Sequence, residues 1–427
     1  MSEYVEASSA LVRVIRDGRH LDEALGSSKP LVQQICYGAL RHFFFYDRAI
    51  DLLIDKPLPE KHLDVRLLIL TGLYSIDHLK RPAHASVNHV VGAAPKIRKG
   101  WAKGLINAVL RRYQREKEHL IPRIQESTEA VTNHPGWLAA IIQQDWSSHP
   151  EVLTNNNQHA PMTLRVNLSR TTRTAYLELL ANNSIMAQEG AFTDSAIILK
   201  EPTHAMSLPG FSEGLVSIQD EAPQLAPTLM NLEPGMRVLD ACAAPGGKTC
   251  HILESTPDIS LTAVDRDQKR TSLISDNLSR LQLSGKVVTE SLETFTPAES
   301  FDRILLDVPC SATGIIRRHP DIKLLRAPED IDKLCTVQRV LIHKAFELLR
   351  PGGELLYSTC SILRQENDQV IAAFLEQQEN ASLISLEHAL LDQPDSLLVG
   401  TEFGLQFLPT RDDHDGFYYA ALRKAPA

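Results

Sequence analysis

Nowhere in the 427 residues does an uninterrupted apolar run reach the length a bilayer requires, so no membrane-spanning helix is expected. The start, Met1-Ser2-Glu3-Tyr4-Val5-Glu6, is acidic and has no long apolar core, unlike a secretory leader. The six cysteines show no CxxC pair and no regular spacing, and there is no histidine cluster. Neither a disulfide framework nor a metal site follows from such a pattern, and reduced thiols in a cytoplasmic protein are expected. Positive charge is also short, with a formal net charge of -9. That balance does not exclude a nucleic-acid partner, because phosphate contacts depend on local patches.

One such patch is present. Between Lys96 and Arg123, the cations Lys96, Arg98, Lys99, Lys103, Arg111, Arg112, Arg115, Lys117 and Arg123 face only Glu116 and Glu118. The run suits sequence-independent attraction to phosphates; a solvated helix face is the plainer alternative.

The texture of the chain changes twice. Residues 1–140 carry apolar positions at three- and four-residue spacing, as in 31–40 and 65–70, and predict an all-α bundle. Residues 141–214 become short alternating segments such as Met162 to Asn167 between Asn, Pro and Gly turns, which predicts a small α+β module. Residues 215–427 alternate strands with helices: 237–240, 261–265, 303–307 and 354–357 are short apolar runs, each closed by a charged or small residue except the last. A parallel, doubly wound α/β sheet of Rossmann type is expected, with ligands at the carboxyl ends of its strands.

After the first of these strands, Asp240 is followed by Cys242-Ala243-Ala244-Pro245-Gly246-Gly247-Lys248 and the start of a helix. Paired glycines let a ligand approach the backbone. A phosphate-binding P-loop would share the ending Gly247-Lys248-Thr249, but the first glycine of that motif is replaced by Cys242. Asp265 lies eighteen residues after Gly247, close to the roughly 20-residue offset at which a carboxylate meets ribose hydroxyls; a buried strand-end cap is its structural alternative. With G-x-G-x-x-G absent, the expected ligand is S-adenosylmethionine and not a nicotinamide dinucleotide.

Two further strands run into Asp307-Val308-Pro309-Cys310 and Ser358-Thr359-Cys360. Two thiols beside a methyl-donor site suit methylation of an electron-poor pyrimidine carbon, where one thiol adds to the ring and a second group helps it leave. Attack is assigned to Cys360 and proton removal to Cys310, although a nucleophile following a proline, as in DNA cytosine methyltransferases, would reverse the pair. Asp307 would hold the protonated ring nitrogen and Lys248 would orient the base or a phosphate. Cys36, Cys242, Cys250 and Cys335 read as small hydrophobes, Cys242 also as part of the cofactor loop.

The runs 240–249, 307–314 and 358–361, together with 315–323 and Asp415-Gly416-Phe417-Tyr418, resemble the signatures of the RsmB/Sun family of RNA cytosine-C5 methyltransferases. The segments 37–41 and 103–111 resemble a NusB-type RNA-binding helical domain. The resemblance implies an enzyme acting on 16S ribosomal RNA; apart from it, a monomer with no membrane association and no obligate protein partner is the plain expectation. Cys360 would be the nucleophile, and residues 242–248, Asp265 and Asp307 would contact S-adenosylmethionine. In one place the chain departs from the pattern: Ser291 stands where the family has an acid for the adenine amine, and Glu290 is the substitute. Transfer RNA as substrate, or a non-enzymatic ribosome assembly factor, are the alternatives.

Overall fold

The computed structural model describes residues 2–386, 398–411 and 413–426. It divides into two compact units, Met1–Gln158 with Ile316–Pro328, and His159–Ile315 with Glu329–Ala427.

The first unit is helical. Its central helix, Leu63–His78, buries Val65, Leu67, Leu68, Ile69, Leu70 and Leu73, so it is apolar around most of its circumference, as the middle of a bundle must be. Glu3–Asp17, Pro30–Arg41, Ala83–Ala93 and Lys103–Ile124 surround it. Gly38 permits one close crossing: a Cβ there would lie 2.0 Å from the Tyr74 ring. Lys103–Ile124 is amphipathic, burying Ile106, Val109, Leu110, Tyr113 and Leu120.

The segment Ile316–Pro328 belongs to this unit although the chain on both sides of it belongs to the other. It brings three buried charged side chains, Arg317, Asp321 and Lys323. Lys323 Nζ donates to the Arg41 carbonyl and to Asn157 Oδ1, each at 2.9 Å, while Asp321 Oδ2 accepts from the Leu21 amide at 3.1 Å. The Arg41 guanidinium donates to the Arg317 carbonyl at 2.8 Å.

The second unit holds two sheets among the described residues. The smaller is antiparallel, in the order β2-β3-β1-β4, from β1 (Met162–Val166), β2 (Ala187–Glu189), β3 (Ala196–Leu199) and β4 (Val216–Ile218), with the helix Arg173–Asn182 following β1. Arg165 on β1 is buried, pairs with Glu254 at 2.9 Å and donates to the Gly247 carbonyl at 2.7 Å.

The larger sheet contains β5 (Arg237–Ala241), β6 (Ser260–Asp265), β7 (Lys286–Thr289), β8 (Phe301–Asp307) and β9 (Leu349–Thr359), parallel in the order β9-β8-β5-β6-β7. The expectation of a wholly parallel sheet needs extension here. β10 (Ala381–Ile384), β11 (Leu398–Gly400), β12 (Leu405–Phe407) and β13 (Phe417–Lys424) are antiparallel, with β13 lying on β9 from Tyr418 opposite Thr359 to Arg423 opposite Glu354. The connections between β11, β12 and β13 are too short to hold a crossover helix, so each strand must return beside its predecessor in the opposite direction.

Candidate active site

The candidate site residues stand at the carboxyl ends of β5, β6, β7, β8 and β9 or in the segments that follow them. The order β7-β6-β5-β8-β9 sets those ends side by side. β5 ends at Ala241, and Cys242 then turns the backbone with φ +60°. Gly246 has φ +96°, and a Cβ there would sit 3.0 Å from the Ile274 backbone, so glycine is required where the loop meets the helix Gln268–Leu281. The helix Gly247–Ser255 follows, and Thr249 in its first turn donates to Asp240 Oδ2 at 2.5 Å. Burial pushes the Asp240 carboxyl up to about 7.

Asp265, at the end of β6, is buried and holds the loop from the other side. Its Oδ2 accepts from the Ala244 amide and its Oδ1 from the Asp267 amide, both at 3.1 Å. The cap of the next helix is Asp267, whose carboxylate accepts from the Lys269 and Arg270 amides. The capping alternative for Asp265 is therefore filled by its neighbour.

Adjacent parallel strands bring the two thiols together. Asp307 on β8 is in register with Ser358 on β9, and the Ser358 hydroxyl donates to Asp307 Oδ1 at 3.0 Å. Cys310 and Cys360, fifty residues apart in sequence, have their sulfurs 3.4 Å from each other. The Cys310 thiol is held well above its ordinary value, first by its hydrogen bond with Cys360 and then by burial. Lys248 Nζ donates to Asp307 Oδ2 at 2.7 Å and lies 4.8 Å above the Phe417 ring. Loop packing is tight as well: a Cβ on Gly314 would fall 2.3 Å from the Gly416 carbonyl oxygen and 2.8 Å from that of Cys360.

A cavity of about 230 Å³ opens beside this group. Cys242, Ala244, Asp265, Glu290, Asp307, Cys310 and Cys360 line it, whereas Ala243, Pro245, Gly246, Gly247 and Lys248 do not. Ser291 also lines it, but its hydroxyl donates to the Glu293 carboxylate. Leu292, Arg266, Arg270 and Val308 also line the cavity and were not among the site residues expected from the sequence. Nothing in spacing marks them, since they are brought in by the loops after three different strands.

The lining fits S-adenosylmethionine. Val264, Leu292, Val308 and Leu341 offer apolar faces for a purine, Asp265 offers an acceptor for ribose hydroxyls, and Glu290 offers one for the adenine amine. Four carboxylates, Asp265, Glu290, Glu293 and Asp307, face two guanidiniums, Arg266 and Arg270. This excess of negative charge favours a sulfonium and disfavours a pyrophosphate.

Comparison with known proteins agrees with this geometry. The model of the family "16S rRNA methyltransferase RsmB/F" matches residues 227–423, that of the RsmF/B-like ferredoxin-like domain matches 134–206, and that of the NusB family matches 6–115. Ribosomal RNA small subunit methyltransferase B of Pseudomonas putida is 41% identical, over 100% of this chain and 99% of its own. The Vibrio cholerae protein of the same name is 41% identical, over 99% and 98%. Among solved structures, a methyltransferase homolog protein from Pyrococcus horikoshii superposes with a TM-score of 0.60 at 26% identity, covering 69% of this chain and 97% of that one. The chain belongs to the 16S rRNA methyltransferase RsmB/F family and is an S-adenosylmethionine-dependent methyltransferase.

Proposed function

We propose that the chain methylates carbon 5 of an unpaired cytosine in 16S ribosomal RNA through a covalent bond between Cys360 and carbon 6, with Cys310 removing the carbon 5 proton. The observation that carries this reading is the 3.4 Å approach of the two sulfurs beside the Lys248–Asp307 pair, at the mouth of the acidic cavity. The names of the two bacterial relatives support ribosomal RNA as the substrate.

Cys360 attacks as the thiolate, while Asp307 accepts a hydrogen bond from the ring nitrogen that becomes protonated on addition. Lys248 neutralises Asp307 until the base arrives and orients it afterwards. Cys242, Ala244, Asp265, Glu290 and Asp307 would hold S-adenosylmethionine, which would supply a methyl group as an electrophile. Adduct formation changes the second thiol. Once the Cys360 sulfur is a neutral thioether, the first cause of the raised Cys310 value is gone while burial still raises it, and Cys310 acts as the base only after passing its own proton to solvent. It then takes the proton from carbon 5, the ring double bond re-forms, and the Cys360 thiolate leaves.

The target base must be unstacked to reach this cleft. In the helical unit, Lys96, Arg98, Lys103, Arg111 and Arg123 are exposed and suited to phosphates, whereas Lys99, Arg112 and Lys117 are tied to Asp64, Glu116 and Asp77. No helix among the described residues is long and apolar enough to cross a membrane. The reading places a monomer in the cytoplasm.

Labelled methyl transfer to protein-free 16S RNA, to assembled small subunits and to transfer RNA tests the proposal, with wild type, Cys360→Ala and Cys310→Ala. The expected result is 5-methylcytosine in ribosomal RNA, lost in Cys360→Ala and replaced by a covalent protein–RNA band in Cys310→Ala. Label confined to transfer RNA would overturn the substrate, and a covalent band with Cys360→Ala alone would reverse the thiol roles.

A further inference from the structure

Just behind the two thiols lies a carboxylate that has no part in the chemistry above. Glu366 is fully buried, on the loop between β9 and the helix Asp368–Gln377. Its Oε1 accepts from the Ser311 amide at 2.7 Å and from Gln338 Nε2 at 3.0 Å. Its Oε2 accepts from the hydroxyls of Ser311 at 2.5 Å and Ser361 at 2.6 Å. Ser311 and Ser361 are the residues immediately after Cys310 and Cys360. Gln338 Nε2 also donates to the carbonyl of Pro309, just before Cys310, at 3.0 Å. Both sides of Cys310 are thus tied to one carboxylate, which also holds the residue after Cys360. Asn367 brackets Cys360 in a similar way, meeting the Thr359 hydroxyl at 2.7 Å and the Ser361 carbonyl at 3.0 Å.

A buried carboxylate accepts only, and here four donors converge on it, so the cost of burying the charge is offset by charge-assisted hydrogen bonds. The Pro309–Ser311 and Cys360–Ser361 backbones come from two different strand-end loops. Without this charged acceptor, the spacing of the sulfurs would rest on sheet register, the Gly314–Cys360 backbone bond of 2.9 Å and neutral contacts between the loops, Ser311–Ser361 at 3.3 Å, Thr313–Ser361 at 3.1 Å and Ile362–Thr313 at 3.1 Å.

We propose that Glu366 is a positioning residue for the methyl-transfer reaction, holding the Cys310 and Cys360 sulfurs at their 3.4 Å approach through Ser311, Ser361 and Gln338. The assignment rests on the thiol roles proposed above. It states that the distance between the thiols, and not the cofactor cavity, depends on this side chain.

The test uses the full-length protein and two independent readouts. The first needs neither RNA nor S-adenosylmethionine: the rate of Cys310–Cys360 disulfide formation with diamide, which is reduced to its hydrazine as it takes up the two thiol hydrogens, followed by peptide mass spectrometry. The second is kcat and the KM for S-adenosylmethionine on the RNA substrate. Glu366→Ala is expected to slow cross-linking about 10-fold and kcat about 10- to 100-fold, with the KM within about twofold of wild type. Glu366→Gln offers one acceptor oxygen, and its amide can donate to serine hydroxyls that rotate to receive it; both readouts recover to within about threefold of wild type.

Cross-linking by Glu366→Ala at the wild-type rate would overturn the proposal. So would a joint loss of kcat and KM that the Gln variant does not repair. Should Glu366→Ala fail to fold, Ser311→Ala with Ser361→Ala removes two of the donors and is expected to slow cross-linking about threefold; a wild-type rate would again overturn it. Methyl transfer persisting in Cys360→Ala would refute the thiol roles instead, and the cross-linking rates would still judge the clamp.

Discussion

Buried charge is mostly cationic in the helical unit and mostly anionic in the catalytic unit, where Arg165 and Arg303 are buried cations, and the two majorities serve different purposes. Near the segment Ile316–Pro328 the helical unit encloses the cations Arg41, Arg317 and Lys323, with carbonyl and amide oxygens among their partners, Asp321 as the buried acid and His134 as a buried neutral imidazole. Burial drives Lys323 well below its ordinary value and His134 down to about 3. The catalytic unit encloses Asp240, Asp265, Glu221 and Glu366, and gives each of them N–H or O–H donors. Carbonyls are abundant where helices end, and a buried cation satisfies several of them. Free amides are abundant where strands turn into loops, and a buried carboxylate gathers those. A cation used this way secures a packing arrangement. A carboxylate at strand ends does more, because the backbone it gathers carries the reacting groups.

Losing chemistry without losing structure is the sharpest way to separate the two units. Cys360→Ala should lower methyl transfer by roughly 10⁴-fold or more while the melting profile of both units stays put; single-turnover labelling and calorimetry check this. Asp307→Asn should cost about 10²- to 10³-fold in kcat by weakening the hold on the protonated ring, with binding of S-adenosylmethionine measured separately by calorimetry. If binding falls as far as turnover, Asp307 serves the cofactor more than the base.

The helical unit should show its own signature in pH. His134 has a folded value near 3 against an ordinary 6.5, so between these values the unfolded chain binds the extra proton. Its contribution to stability is therefore whole above 6.5 and declines as pH falls. From pH 6.5 to 5 the expected loss is about 2 kcal/mol, or about 5 °C in Tm, read by thermal melting. His134→Gln should flatten that slope. A slope unchanged in this variant would move the titration to another group.

The smallest effect concerns the exposed cations. Lys96→Glu, Arg98→Glu and Lys103→Glu combined should weaken RNA binding about 10-fold at moderate salt and reduce the salt dependence of affinity, leaving kcat at saturating RNA within about twofold. Filter binding over a salt series measures it.

Much of the catalytic unit was legible before any coordinates. Strand ends at Asp265 and Asp307, and one residue past Asp240, fall where the apolar runs stop, because a buried strand is apolar and its first polar residue marks the exit. The glycine loop was legible because Gly246 adopts a conformation and a closeness that side chains resist. Leu292, Arg266 and Arg270 were not, since a cavity wall assembled from several loops has no period. Glu366 was equally hidden: an acid five residues after Ser361 looks like any solvated loop residue until its burial is seen. The same holds for 316–328, whose motif was visible while its membership of the helical unit was not.

By itself, then, the order of residues determined the elements and the kinds of chemistry: local periodicity, turn residues and reactive types are properties of neighbours in the chain. Only the tertiary structure decided how closely the two thiols meet. Strand order and the Asp307–Ser358 register bring residues fifty positions apart to 3.4 Å, and that juxtaposition comes from packing whole elements, which no local pattern encodes.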